Sequence, residues 1–241
     1  MSQQIKKGRT LPTTPVIFAS PSQAAHCLLE GRSLICLVRH GQTDWNLEKR
    51  LQGREDIPLN DTGRAQAEQV AELFLKAKEK GMFAAAVCSS PLSRAKDTAA
   101  IIADKIGLSS VVCQRLNERD YGNLSGYTVE ERRKVFPRGE NQSNIMESVP
   151  DAASRMLRAF DDVLDVSEGK TVIAVSHGGI INALFSRLSF GEIGTGKTLT
   201  QNCSVSFIAS GIGHPIPLAY NLQENDIVDY IAKMLHFGAE I

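Results

Sequence analysis

Ser33-Leu-Ile-Cys-Leu-Val-Arg39-His40-Gly41-Gln42-Thr43-Asp44-Trp45-Asn46 is the stretch whose reading decides the fold. Leu34 to Val38 is an apolar run with no polar alternation, the pattern of a strand covered on both faces inside a parallel sheet. It stops at Arg39-His40-Gly41, so a cation, an imidazole and a flexible joint meet at the strand's carboxyl end. In open α/β sheets ligands bind at that edge. Gly41 removes side-chain bulk where the backbone must turn or come close to a ligand.

A second copy of the pattern lies in the other half of the chain. Lys170-Thr-Val-Ile-Ala-Val-Ser176-His177-Gly178-Gly179 is again an apolar strand (Val172 to Val175), a histidine and a glycine, followed by a periodic helix from Ile180 to Leu188. Two such strands in one parallel sheet would release His40 and His177 at the same edge, facing one another. Two imidazoles, an arginine and helix amino termini together make an anion site.

Between and around these strands, helical spacing runs from Thr62 to Lys80, and Phe83 to Cys88 reads as a buried strand. Ser89-Ser90-Pro91 predicts a cap and a helix from Pro91 to Ile106, with Arg94 in its first turn. A cation at the positive end of a helix is better explained if an anion is expected there. Ser110 to Gln114 reads as a short strand, and the loop after it carries Glu118 as a candidate acid and Tyr121 beside it. Thr128 to Phe136 is charged and helical, and Pro137 to Pro150 is polar. Asp151 to Val166 is an amphipathic helix capped by Asp151, Ser204 to Ile208 a final strand, and Gln223 to Phe237 a closing helix. These alternations predict an α/β three-layer sandwich. Its central sheet is mostly parallel, with helices on both faces and a small helical and loop cap at about 122–150. Residues 1–33 are expected to form an amino-terminal extension and 34–241 the domain that carries the anion site.

The composition fits one such domain: 241 residues, 42% hydrophobic, with Lys+Arg and Asp+Glu both 27. Zero net charge provides no global field for nucleic acid or an anionic membrane. The cysteines (Cys27, Cys36, Cys88, Cys113, Cys203) are scattered and odd in number, so they read as buried apolar residues of a reducing compartment. No CxxC or HExxH spacing is present, and no apolar run is long enough to span a membrane. The first 29 residues lack acids and carry Lys6, Lys7 and Arg9, faintly like a transit peptide, but Pro12, Pro15 and Pro21 would interrupt its helix. An extension packed on the domain is preferred, with Ser20 capping a helix from Pro21 to Glu30 and Val16 to Ala19 extended. Cytoplasmic location is the expectation.

Gly191-Glu-Ile-Gly-Thr-Gly196-Lys197-Thr198 matches the phosphate loop of nucleotide hydrolases, G-x-x-x-x-G-K-[ST]. That motif needs a strand before it and a helix after it. Here the order is inverted, and a surface turn is the better reading.

With these residues assembled, the chain resembles the histidine phosphatase superfamily, the phosphoglycerate mutase-like enzymes, from about Leu34 to Ala209. The likeness rests on LVRHGQTDWN, LQGREDIPLN, SSPLSRAKDTA, LNERDYG and VSHGG, in that order. It implies that His40 attacks phosphorus as a neutral imidazole and becomes a phosphohistidine. Arg39 and Arg94 would clamp phosphoryl oxygens, and His177 would donate to another. Glu118 would be general acid and then base, which requires a carboxylic acid at the operating pH. Asn46, Gln52, Gly53, Gly178 and Tyr121 would complete substrate binding. Neither metal nor cofactor is implied; 2,3-bisphosphoglycerate would act as primer in a mutase.

Mutase and phosphatase branches both leave traces. Leu116 to Gly122 looks like the mutase acid loop. Gly179 stands where mutases usually have Asn, Val129 where they carry a lysine, and their paired arginines are missing near Ile145. Gln52-Gly53 and Asn202-Cys-Ser-Val resemble phosphatases. A phosphatase of a small phosphorylated metabolite is therefore favoured, with phosphoglycerate mutase as the alternative. A non-catalytic phosphate-ligand-binding protein is the alternative of another class. A homodimer is left open, and specificity is expected in Gly122 to Pro150.

Overall fold

The computed structural model describes residues 11–135 and 146–239. In chain order these form β1 (Val16–Ile17), α1 (Pro21–Leu29), β2 (Ser33–Arg39), α2 (Asp44–Leu47), α3 (Asp61–Glu79), β3 (Ala86–Ser89), α4 (Ser93–Ile106) and β4 (Ser110–Val112). There follow α5 (Val129–Val135), α6 (Val149–Val166), β5 (Val172–Ser176), α7 (Gly178–Leu188), β6 (Val205–Ser210), β7 (Ile216–Leu222) and α8 (Asn225–Ala239).

The strands make one sheet in the order β1-β7-β6-β2-β5-β3-β4. The block β2-β5-β3-β4 is parallel throughout, while β6, β7 and β1 are joined antiparallel on the other side of β2. Five strands thus point one way, and β1 and β6 point back.

β2 lies in the middle, which is why its apolar run shows no alternation. Leu34, Cys36 and Val38 pack among residues of α1, α3, α4 and α8; Ile35 and Leu37 face α6 and α7. Both faces are covered, giving three layers with the core split in two by the sheet.

Val38 pairs with Val175 and Arg39 with Ser176, so the two strands end in step. His40 and His177 each follow immediately. The shared edge was legible from the repeated pattern, and parallel pairing in register is what delivers it.

Several boundaries differ from the sequence reading. Phe83 to Ala85 is not strand: Phe83 is 69% exposed, and β3 begins only at Ala86. Ser90 does not cap α4, whose first residue is Ser93 and whose N-cap, Leu92, makes no side-chain bond. Asp56, far away in sequence, instead accepts from the Ser93 N–H at 2.7 Å. α6 begins at Val149, capped by Ser148 rather than Asp151; Ser148 accepts from the Asp151 N–H, and Pro150 occupies the first turn, where no N–H is needed. β7 was missed altogether. Pro217 within it argues against a strand, and the pairing with β6 shifts register in that neighbourhood.

Ser20 caps α1 as expected, in a reciprocal box with Gln23. Val16–Ile17 pairs with Tyr220–Ala219 at the sheet edge. Part of the cap expectation, residues 136–145, falls outside the described residues. Residues 191–198 form a turn after α7, so the phosphate-loop context is indeed inverted. Among the described residues no helix is long and apolar enough to cross a membrane.

Candidate active site

At the carboxyl ends of β2 and β5 opens a cavity of about 800 Å³, lined among others by Arg39, His40, Asn46, Gln52, Glu118 and Tyr121. Its floor is the loop after β2. The Gly41 N–H donates to Thr98 Oγ1 of α4 at 3.1 Å, and the Asn60 N–H to the Gln42 carbonyl at 3.1 Å. Gly63, in the first turn of α3, passes so close that a Cβ there would run into the Gln42 backbone. The LND-T-G stretch therefore serves to seat α3 against the histidine loop.

His40 is 2% exposed. Its Nδ1 lies 2.6 Å from the Gly41 carbonyl, which can only accept, so Nδ1 carries the proton and Nε2 the lone pair. Burial and then the nearby Arg94 and Arg39 charges push its pKa well below 6.5, partly offset by the Gly41 bond. The ring is neutral at pH 7.

The His177 ring centroid is 5.0 Å from that of His40. His177 is fully buried. Its Nδ1 accepts from Arg94 Nε at 3.2 Å, and its Nε2 bonds Ser90 Oγ at 2.7 Å. Because a guanidinium cannot accept, the His177 proton sits on Nε2. Burial and Arg94 hold its pKa well below 6.5 too.

Arg94 does not line the cavity. It is wholly buried and donates to the Gly53 and Glu55 carbonyls at 2.8 and 2.7 Å as well as to His177. Three of its five N–H groups are thus occupied, leaving two. Burial pushes its pKa down to about 10, so it keeps its charge at pH 7. Gly53, expected at the substrate, contributes its carbonyl to Arg94 instead.

Arg39 does line the cavity, bonds the Thr200 carbonyl through Nη1, and keeps a buried Nε without a partner. Asn46 commits Oδ1 to the Thr43 N–H and to Asn202 Nδ2, both at 3.2 Å, which leaves its own Nδ2 for the cavity. Gln52 Oε1 is buried and has no hydrogen-bond partner among the described residues.

Glu118 meets the amino terminus of α7. Its oxygens accept from the Gly179, Ile180 and Arg119 N–H groups at 3.1, 2.8 and 2.7 Å. All three partners are backbone donors, two of them at the amino terminus of α7, and they fix both carboxylate oxygens. A Cβ on Gly179 would collide with the Tyr121 hydroxyl and sit 2.8 Å from Glu118 Oε1. A larger residue there would displace the ends of both side chains.

Three supporting residues escaped the sequence reading. Ser90 was assigned to a helix cap but orients His177. Arg155 of α6 donates to the carbonyls of Arg115, Asn117 and Glu118 at 2.7 to 3.2 Å and pairs with Glu147 at 2.7 Å, pinning the acid loop. Asn202 Nδ2 donates to the His40 carbonyl at 2.9 Å. Apart from the Arg155–Glu147 pair, each of these contacts spans more than 30 residues of sequence, where no local signal exists.

His40, Arg39 and Glu118 line one cavity, and His177 and Arg94 are bonded to each other behind it, with the His177 ring 5.0 Å from that of His40. The model of the histidine phosphatase superfamily (branch 1) matches residues 35–223, and the chain belongs to that family. It is 38% identical over 174 residues to the uncharacterized phosphatase PhoE of Bacillus subtilis (strain 168), covering 72% of this chain and 86% of that protein. It is 35% identical over 184 residues to a probable phosphoglycerate mutase, GpmB, of an Enterobacter species, covering 72% and 83%. Among solved structures, a phosphoserine phosphatase from Entamoeba histolytica, in complex with 3-phosphoglyceric acid, superposes with a TM-score of 0.66. It is 28% identical, with 81% of this chain and 99% of that one covered.

Proposed function

We propose that the protein is a metal-independent phosphomonoester hydrolase of a small phosphorylated metabolite, working through a phosphohistidine on His40. The observation that carries this reading is the His40 tautomer: Nδ1–H held by the Gly41 carbonyl, Nε2 unprotonated, in a ring that lines the cavity. An imidazole so held is a nucleophile that needs no base.

In the proposed first step His40 Nε2 bonds phosphorus as the ester P–O bond breaks, and Glu118 passes a proton, taken up with the substrate, to the departing alkoxide. The imidazolium that forms keeps Nδ1–H against Gly41. Arg39, through its unpartnered Nε, and Arg94, through its two remaining N–H groups, supply positive charge where the phosphoryl oxygens gather. In the second step Glu118 takes a proton from water, whose oxygen displaces Nε2 and releases phosphate. The two arginines do the work that a metal does in other phosphatases.

The phosphatase arm is favoured over the mutase by Gly179, where a side chain such as the Asn that mutases usually carry would make the Tyr121 hydroxyl and the Glu118 carboxylate shift. A phosphorus NMR time course with 3-phosphoglycerate and a trace of 2,3-bisphosphoglycerate, without metal, separates the two. Phosphate release, there or from other phosphorylated metabolites, is expected. Rapid formation of 2-phosphoglycerate would make the protein a mutase.

A further inference from the structure

The cavity is larger than a phosphate needs, and one of its rim residues, Thr13, lies outside the part of the chain matched by the family. Thr13 is held there by designated contacts. The Leu199 N–H donates to the Pro12 carbonyl at 2.9 Å. Asn221 Nδ2 donates to the carbonyls of Thr13 and Leu199, while its Oδ1 accepts from the Gln201 N–H at 2.7 Å. Asn221 is fully buried and left-handed (φ 63°), a conformation few residues other than Asn and Gly tolerate. One side chain thus fastens residues 12–13 to the segment 199–201.

That segment also serves the reacting groups. The Thr200 carbonyl takes Arg39, and Asn202, next along, holds the His40 carbonyl. Beyond Thr13, the wall comprises Leu199, Thr200, Gln201 and Asn182, the last accepting from Thr200 Oγ1 at 2.9 Å. These side chains are uncharged, whereas Lys49, Arg50 and Glu224 line other parts of the same cavity.

Resting on the phosphatase reading above, we propose that the strap around Pro12–Thr13 is the outer wall of the substrate cavity. It meets the alcohol portion of the substrate, and the hydroxyl and amide groups of Thr13, Thr200, Gln201 and Asn182 on this side select a hydroxylated alcohol such as a sugar or polyol. The strap is then a specificity element that this chain adds to its family's domain.

The test is Thr13→Trp, a change at an exposed position, assayed by phosphate release from a hexose phosphate and from methyl phosphate. The expected result is a fall of about ten-fold in the ratio of kcat/KM, hexose phosphate over methyl phosphate. An unchanged ratio overturns the proposal. If the intact chain hydrolyses neither ester, the phosphatase reading fails, and amide hydrogen exchange at Leu199 decides for the strap alone. Slower exchange with the hexose phosphate than with inorganic phosphate supports the strap as a wall; equal exchange overturns it.

Discussion

His40 and His177 end neighbouring parallel strands in register, both are followed by glycine, and both are buried and neutral. Their second bonds differ. His40 spends one nitrogen on a carbonyl and turns the other, unprotonated, to the cavity it lines. His177 spends both, on Arg94 and Ser90, and does not line the cavity. Two local sequences of the same form thus produce one ring with a free lone pair and one bracing ring, and the partner of the second nitrogen makes the distinction. Under the proposed mechanism His177 holds Arg94 and the charge around the phosphoryl group; direct donation to an oxygen would require it to leave Ser90.

The sharpest way to break this comparison is to remove each ring in turn. His40→Ala should lower turnover by about four orders of magnitude or more and abolish acid-labile phosphoprotein in a quenched reaction. His177→Ala should cost about 10² to 10³-fold in kcat yet still form phosphoprotein. Equal losses, with phosphoprotein absent from both, would end the assignment of separate roles.

pH sharpens it further. Both rings have folded pKa values well below 6.5, so the unfolded chain binds protons that the folded one refuses. Their contribution to stability is complete above about pH 6.5 and is lost as pH falls towards the folded values. Denaturant melts between pH 7 and 5 should show stability declining on the acid side. His177→Asn should flatten that decline, and an unaltered slope would mean that His177 is not held neutral.

Ser90→Ala is the smallest change. It leaves the buried Nε2–H of His177 without its acceptor, at a cost of about 1–3 kcal/mol of stability in a thermal melt. kcat should fall modestly, with less effect than removing the ring itself.

Much of this site was legible because its elements are local. The apolar runs 34–38 and 172–175 announced strands buried on both faces, and each histidine lies one step beyond its strand, so placing the strands placed the rings. Ser20 and Pro21 announced α1 for the same reason, since a cap acts within one turn. The elements that were misread are those whose partners are distant. Ser90 looks like a cap and is consumed by His177; Ser93 is capped by Asp56; β7 has an unpromising proline and is a strand because β6 and β1 flank it.

The sequence by itself determined the α/β class, the shared strand edge and which residue types could meet a phosphate there. Periodicity and short motifs encode these, because they depend on neighbours a few positions away. Tertiary structure alone decided which histidine keeps a free lone pair, that Glu118 rests on three backbone N–H groups, and that Thr13 reaches the cavity rim. Each of those depends on hydrogen bonds between atoms far apart in the chain, whose geometry exists only after the sheet has paired and the helices have packed upon it.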